Sequence, residues 1–142
     1  MQEFVHHRRK LSSHGGSFAL LSPDDGTERA VIFVHGFLGD PDATWVNFQR
    51  LIDHAAAKAE WWQRADCFFF KYRSVKDLTS TSVTGLRKFL KEFFPSPPFS
   101  LFSPAAHMVI SSEKNKPAIA EQPRIYKELF LVGHSAGCVV IR

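Results

Sequence analysis

What the 142 residues lack already narrows what the chain can be. Cysteine is scarce: Cys67 and Cys138 are the only two, too few for a disulfide framework and not spaced as metal ligands, so they read as reduced, buried thiols. No run of about 18 apolar residues occurs, which excludes a membrane-spanning helix and leaves a soluble or peripheral chain. The start is basic through His6, His7, Arg8, Arg9 and Lys10, yet no apolar h-region follows it. No secretory leader is read, and a cytoplasmic location is expected. Charge of one sign is also scarce. The net charge is +4, and Arg8, Arg9 and Lys10 supply much of the excess, which reads as a solvated tail over residues 1–16 rather than a nucleic-acid surface. Neither Gly-x-x-x-x-Gly-Lys nor Gly-x-Gly-x-x-Gly is present, so a nucleotide-phosphate loop is excluded. No cofactor and no metal are expected.

What is present is the composition of a globular domain, 44% hydrophobic and 23% charged, on a chain long enough for one core. Residues 17–142 read as that unit. Ser17 to Leu21 reads as a short strand ended by Ser22-Pro23-Asp24-Asp25-Gly26, a turn-forming cluster. Ala30 to Val34 and Cys67 to Phe70 are unbroken apolar runs rich in β-branched and aromatic residues, the pattern of strands buried on both faces. Between them, Trp45, Phe48, Leu51, Ile52 and Ala55 or Ala56 recur at helical spacing, with Asp42 or Thr44 as the cap. Leu86, Phe89, Leu90 and Phe93 repeat that spacing until Pro95 stops it. A proline-rich connection, 95–123, then leads to Leu129–Val132, a third buried-strand pattern, and to a helix-compatible stretch from Ala136 to Ile141. Trp45, Trp61, Trp62, Phe68 to Phe70 and Phe89 are read as core. The alternation of strand and helix predicts an α/β fold, a mostly parallel sheet with flanking helices, whose ligands bind at the carboxyl ends of the strands.

Gly133-His134-Ser135-Ala136-Gly137 fits Gly-x-Ser-x-Gly. A chain of this length shows that pattern by chance about once in twenty, so context decides its weight. Here it follows an apolar strand and opens a helix, the setting in which a sharp turn lifts a serine hydroxyl above the sheet. The glycines keep side chains out of a crowded turn. The Ala136 N–H, at the helix start, is a candidate donor to an oxyanion. A second donor is expected from His35-Gly36-Phe37 at the end of the first buried strand, the Phe37 N–H or, as the second choice, that of Leu38. His35 is read as steadying that loop and His134 as packing within the turn, neither as a base.

A strand ending in His-Gly, about 100 residues before one ending in Gly-His-Ser-Ala-Gly, resembles the amino-terminal half of the α/β-hydrolase superfamily, and Val31 to Trp45 is similar to lipase-like and serine-esterase-like members. The resemblance implies a partial α/β-hydrolase domain ending just after the nucleophile turn. It also implies that Ser135 attacks an acyl ester of a small-molecule or lipid substrate, with Phe37 and Ala136 as the oxyanion hole. Peripheral membrane contact is compatible with such a substrate. In that family the acid and the histidine follow the serine, whereas Ala136 to Arg142 contains neither. The expected function is therefore a serine ester hydrolase whose acid and histidine are missing from this chain, which alone is expected to be inactive and poorly soluble. The alternative is a non-catalytic binding module or a truncated remnant.

Overall fold

The computed structural model describes residues 6–11, 14–23, 27–36, 39–52, 64–72, 79–101 and 123–142. Five strands and three helices occur among them: β1 (His7–Lys10), β2 (Phe18–Leu21), β3 (Arg29–Val34), α1 (Pro41–Ile52), β4 (Asp66–Phe70), α2 (Thr79–Phe93), β5 (Glu128–Gly133) and α3 (Gly137–Ile141). The readings placed on Asp24 to Gly26, Phe37, Leu38, Ala55, Ala56, Trp61, Trp62 and most of the 95–123 connection fall outside the described residues.

The strands form one sheet in the order β1-β2-β4-β3-β5. β4, β3 and β5 are mutually parallel, while β1–β2 and β2–β4 are antiparallel. This corrects the expected mostly parallel sheet: the sheet is mixed. The physical reason lies in the connections. β3, β4 and β5 are separated by segments long enough for helical crossovers, which parallel pairing requires. The seven residues 11–17 between β1 and β2 are too few for a crossover, so a hairpin and an antiparallel pair result.

The basic tail expected over 1–16 is corrected over its described part. His7–Lys10 is β1, with His7 and Arg9 buried, and the buried His6 ring makes a 3.0 Å hydrogen bond with the Ala65 carbonyl through Nε2. Hydropathy misses this strand because its inward positions are histidine and arginine rather than aliphatic residues. Arg8 lays its guanidinium 3.8 Å above the Phe18 ring. From there a ladder of stacked rings runs across the sheet, Phe18 to Phe69 at 4.6 Å and Phe69 to Phe33 at 4.7 Å, at residues paired directly in register. Each such pair adds about 0.5–1.5 kcal/mol beyond the area it buries.

Alternation along β3 divides the core. Val31 and Phe33 face α1, where Trp45 and Ile52 join Cys67 and Phe69. Ala30, Ile32 and Val34 face α2 and α3, packing with Phe68, Leu86, Phe89, Phe93 and Val140. Phe48 and Leu51, expected on the buried face of α1, are 46% and 48% exposed. The cap of α1 also differs from the expected Asp42 or Thr44. The Asp40 carboxylate accepts hydrogen bonds from the Asp42 and Ala43 amides at 2.8 and 3.3 Å, and Asp42 instead pairs with Arg8.

Candidate functional site

The chemistry-bearing residues of the sequence gather at the carboxyl ends of β3, β4 and β5. Gly133 ends β5, Gly137 opens α3, and His134, Ser135 and Ala136 form the turn between them. Ser135 has φ of 54°, the single non-glycine residue with positive φ among the described residues. A left-handed backbone costs an L-residue roughly 1–2 kcal/mol, so the surrounding structure must hold it in place. The turn does so through a chain of backbone bonds: His134 N–H to Val34 O, Gly137 N–H to His134 O and Cys138 N–H to Ser135 O, each 3.0 Å. Ser135 is exposed, and among the described residues no side chain hydrogen-bonds its hydroxyl. The Ala136 N–H likewise has no internal partner among them, as expected of an amide in a first helical turn.

Backbone packing makes this turn possible. A Cβ on Gly137 would lie 2.3 Å from the Val34 carbonyl oxygen and 2.6 Å from that of His35, so α3 can start here only with glycine resting on the end of β3. A Cβ on Gly36 would lie 3.0 Å from both the His134 carbonyl oxygen and the Ser135 Cβ. The loop after β3 is therefore pressed against the serine turn. Phe37, the expected second oxyanion donor, lies outside the described residues, but the flanking Gly36 and Gly39 close a turn through a 3.0 Å bond from Gly39 N–H to Gly36 O.

His35 is fully buried below this turn. Its Nδ1 lies 2.9 Å from the Gly36 carbonyl oxygen and its Nε2 3.2 Å from the Tyr72 amide nitrogen. A carbonyl can only accept and an amide N–H only donates, so the ring carries its proton on Nδ1 and accepts on Nε2. Burial lowers its pKa below the usual 6.5, outweighing the Gly36 carbonyl and Asp40, which pull the other way. Both ring nitrogens of this neutral imidazole are committed to the loop, so His35 has no lone pair to offer Ser135. His134 is exposed, with its ring edge-on to Trp45 at 6.2 Å between centroids.

Two features were not found from sequence. Tyr72, just past β4, donates its hydroxyl to the His35 carbonyl at 2.7 Å and stacks on the His35 ring at 4.3 Å. Its position at the carboxyl end of a parallel strand was the available signal. At the opposite end of the sheet, Asp66 is fully buried and accepts from the Ser22 amide at 2.8 Å, Arg124 Nη1 at 2.5 Å and the Tyr126 hydroxyl at 2.5 Å. Burial and the Asp66 carboxylate push the Tyr126 phenol far up. No spacing rule links residues so distant in sequence.

A cavity of about 650 Å³, lined by His14, Gly16, Lys71, Tyr72, Thr81 and Ser82 among others, opens beside Tyr72. Ser135 does not line it. Cys67 is buried as expected, but Cys138 is exposed, which corrects its reading as a buried thiol. Among the described residues no group of His, Cys, Asp and Glu could hold a metal ion, and no helix is long and apolar enough to cross a membrane. Comparisons with protein-family models, with characterised proteins and with solved structures found no match.

Proposed function

We propose that this chain carries the nucleophile and oxyanion-binding part of a serine hydrolase related to the α/β-hydrolase superfamily, acting on an acyl ester of a small molecule or lipid. The observation that carries this reading is the positive φ of Ser135 in a strand-turn-helix junction, since enforced strain at a nucleophile is a mark of function rather than of packing. In the proposed reaction Ser135 Oγ attacks the ester carbonyl, and the developing oxyanion accepts from the Ala136 N–H and, in the loop after Gly36, from the Phe37 N–H. Removal of one such donor typically costs about 3 kcal/mol in the transition state. The serine proton passes to a base, which His35 cannot be in its bound tautomer and which we take to be supplied from outside these 142 residues. Collapse of the adduct breaks the ester C–O bond, the alcohol leaves with that proton, and water then hydrolyses the acyl-serine. We place the protein in the cytoplasm, where the exposed free thiol of Cys138 fits a reducing environment, with peripheral contact to lipid where the ester is a lipid's.

The test captures the natural protein from its own cells with an antibody against residues 1–142 and treats it with a fluorophosphonate. Mass spectrometry then locates the label and measures the intact mass. The expected result is a phosphonylated Ser135, lost in Ser135→Ala. An unlabelled Ser135, in a lysate whose other serine hydrolases label, overturns the catalytic reading in favour of a binding module.

A further inference from the structure

We propose that Tyr72 is a positioning residue for Ser135 chemistry, clamping the His35–Gly36 peptide so that Gly36 stays pressed against the serine turn; this inference rests on the hydrolase reading above. Four observations converge. The Tyr72 hydroxyl donates to the His35 carbonyl at 2.7 Å, which fixes the plane of the peptide joining His35 to Gly36 and sends the Gly36 N–H the opposite way. The Tyr72 amide donates to His35 Nε2 at 3.2 Å, which selects the tautomer whose Nδ1–H can hold the Gly36 carbonyl at 2.9 Å. The two rings stack at 4.3 Å with 14° between their planes, so the imidazole cannot swing away. The same His35 carbonyl oxygen lies 2.6 Å from where a Gly137 Cβ would be, and Gly36 sits against Ser135.

One side chain thus acts on both consecutive carbonyls of the loop, on His35 O directly and on Gly36 O through the imidazole. Tyr72 is itself only 9% exposed, so water does not compete freely for these bonds. With the hydroxyl removed, the His35 carbonyl loses its bond to Tyr72, and the orientation of the peptide rests on the imidazole and on packing alone. Nucleophile and oxyanion donors act only when already aimed at the site of developing charge, so a shift of Gly36 where it packs on Ser135 weakens the transition state while leaving ester binding intact.

The experiment compares Tyr72→Phe with Tyr126→Phe in the natural protein. Both substitutions remove one buried hydroxyl, but Tyr126 donates to Asp66 at the far end of the sheet and serves as the control for a purely structural loss. Fluorophosphonate labelling of Ser135 is expected to slow by about tenfold or more in Tyr72→Phe, with kcat for an activated ester falling and KM unchanged, while Tyr126→Phe labels at the wild-type rate per folded molecule. Nitrogen-15 spectra of the full 142-residue chain are expected to place the His35 proton on Nδ1, and to show the Gly36 amide shifted by Tyr72→Phe and not by Tyr126→Phe. Equal labelling rates in the wild type and Tyr72→Phe, or equal slowing in both variants, overturn the proposal. If the wild-type serine does not label at all, the hydrolase reading fails, and the clamp then stands or falls on the Gly36 amide shift alone.

Discussion

Gly137→Ala tests the close approach on which the serine turn depends. The added Cβ would sit 2.3 Å from Val34 O and 2.6 Å from His35 O, the first the end of β3, bonded to the His134 amide, the second held by the Tyr72 hydroxyl. Neither can rotate away, so α3 must retreat by roughly 1 Å to restore an ordinary van der Waals separation. Overpacking of this kind costs about 3 kcal/mol, the upper part of its usual range. In urea, where small domains lose about 2 kcal/mol per molar, the unfolding midpoint of the full chain should fall by about 1.5 M with an unchanged slope. Gly85→Ala supplies the opposite sign. Its Cβ would meet Phe70 Cζ at 3.5 Å, an ordinary contact, in the interior of α2, so the helix gains about 1 kcal/mol and the midpoint rises by about 0.5 M. A Gly137→Ala midpoint equal to the wild type's, in an assay that resolves the Gly85→Ala gain, would refute the close approach and with it the account of why this position is glycine.

Three further outcomes follow from the same geometry. Ser135→Gly should be more stable than Ser135→Ala by roughly 0.5–1 kcal/mol, because relief of the left-handed strain exceeds the entropy glycine adds to the unfolded chain; calorimetry that ranks alanine higher contradicts a strained Ser135. Asp40→Ala should lose about 1 kcal/mol as a helix cap, whereas Asp42→Ala, which breaks an exposed pair with Arg8, should lose less than about 0.5 kcal/mol; the reverse order in urea melts would return the cap to Asp42. Burial lowers the pKa of His35 in the folded state below the usual 6.5, so below that pH the unfolded chain binds the proton more readily and stability falls as pH drops. The portion of this acid-side loss that disappears in His35→Gln reports the shift, and identical pH profiles for the two proteins would show that His35 does not contribute.

Much of the parallel half of the sheet was legible because its signals are local. Ala30 to Val34 and Cys67 to Phe70 are short apolar runs that need no partner to be recognised, and Gly-x-Ser-x-Gly marked the turn at Ser135 because the glycines there answer a demand of close backbone packing. The antiparallel half was not legible for the converse reason. β1 places His7 and Arg9 inward, so no apolar period announces it, and its burial depends on β2 and on Ala65, distant in sequence. The helix face of α1 was read correctly at Trp45 and Ile52 and incorrectly at Phe48 and Leu51, since a period of 3.6 defines a stripe but not how much of it a neighbour covers. Tyr72 escaped notice because its role consists of bonds to His35, and a single tyrosine after a strand carries no motif.

The two ends of the sheet divide the labour between strain and saturation. At the amino ends, the buried Asp66 carboxylate is met by a backbone amide, a guanidinium and a phenol, and Arg124 also donates to the Ser22 carbonyl at 2.7 Å. β2, β4 and the segment leading into β5 are thereby joined at one point, and breaking so buried a pair typically costs about 3–5 kcal/mol. At the carboxyl ends the opposite holds: Ser135 is exposed and left-handed, and the Ala136 amide has no internal partner among the described residues. A turn of that kind relaxes unless its flanks are held, because an isolated residue gains roughly 1–2 kcal/mol by returning to the right-handed region. The parallel register of β3 with β5, extending from Arg29 and Glu128 to Val34 and Gly133, carries the rigidity of the saturated end to the strained one. Gly137 and Gly36 then convert that fixed spacing into contact, which leaves Ser135 held in a conformation its own backbone disfavours and its hydroxyl open to solvent.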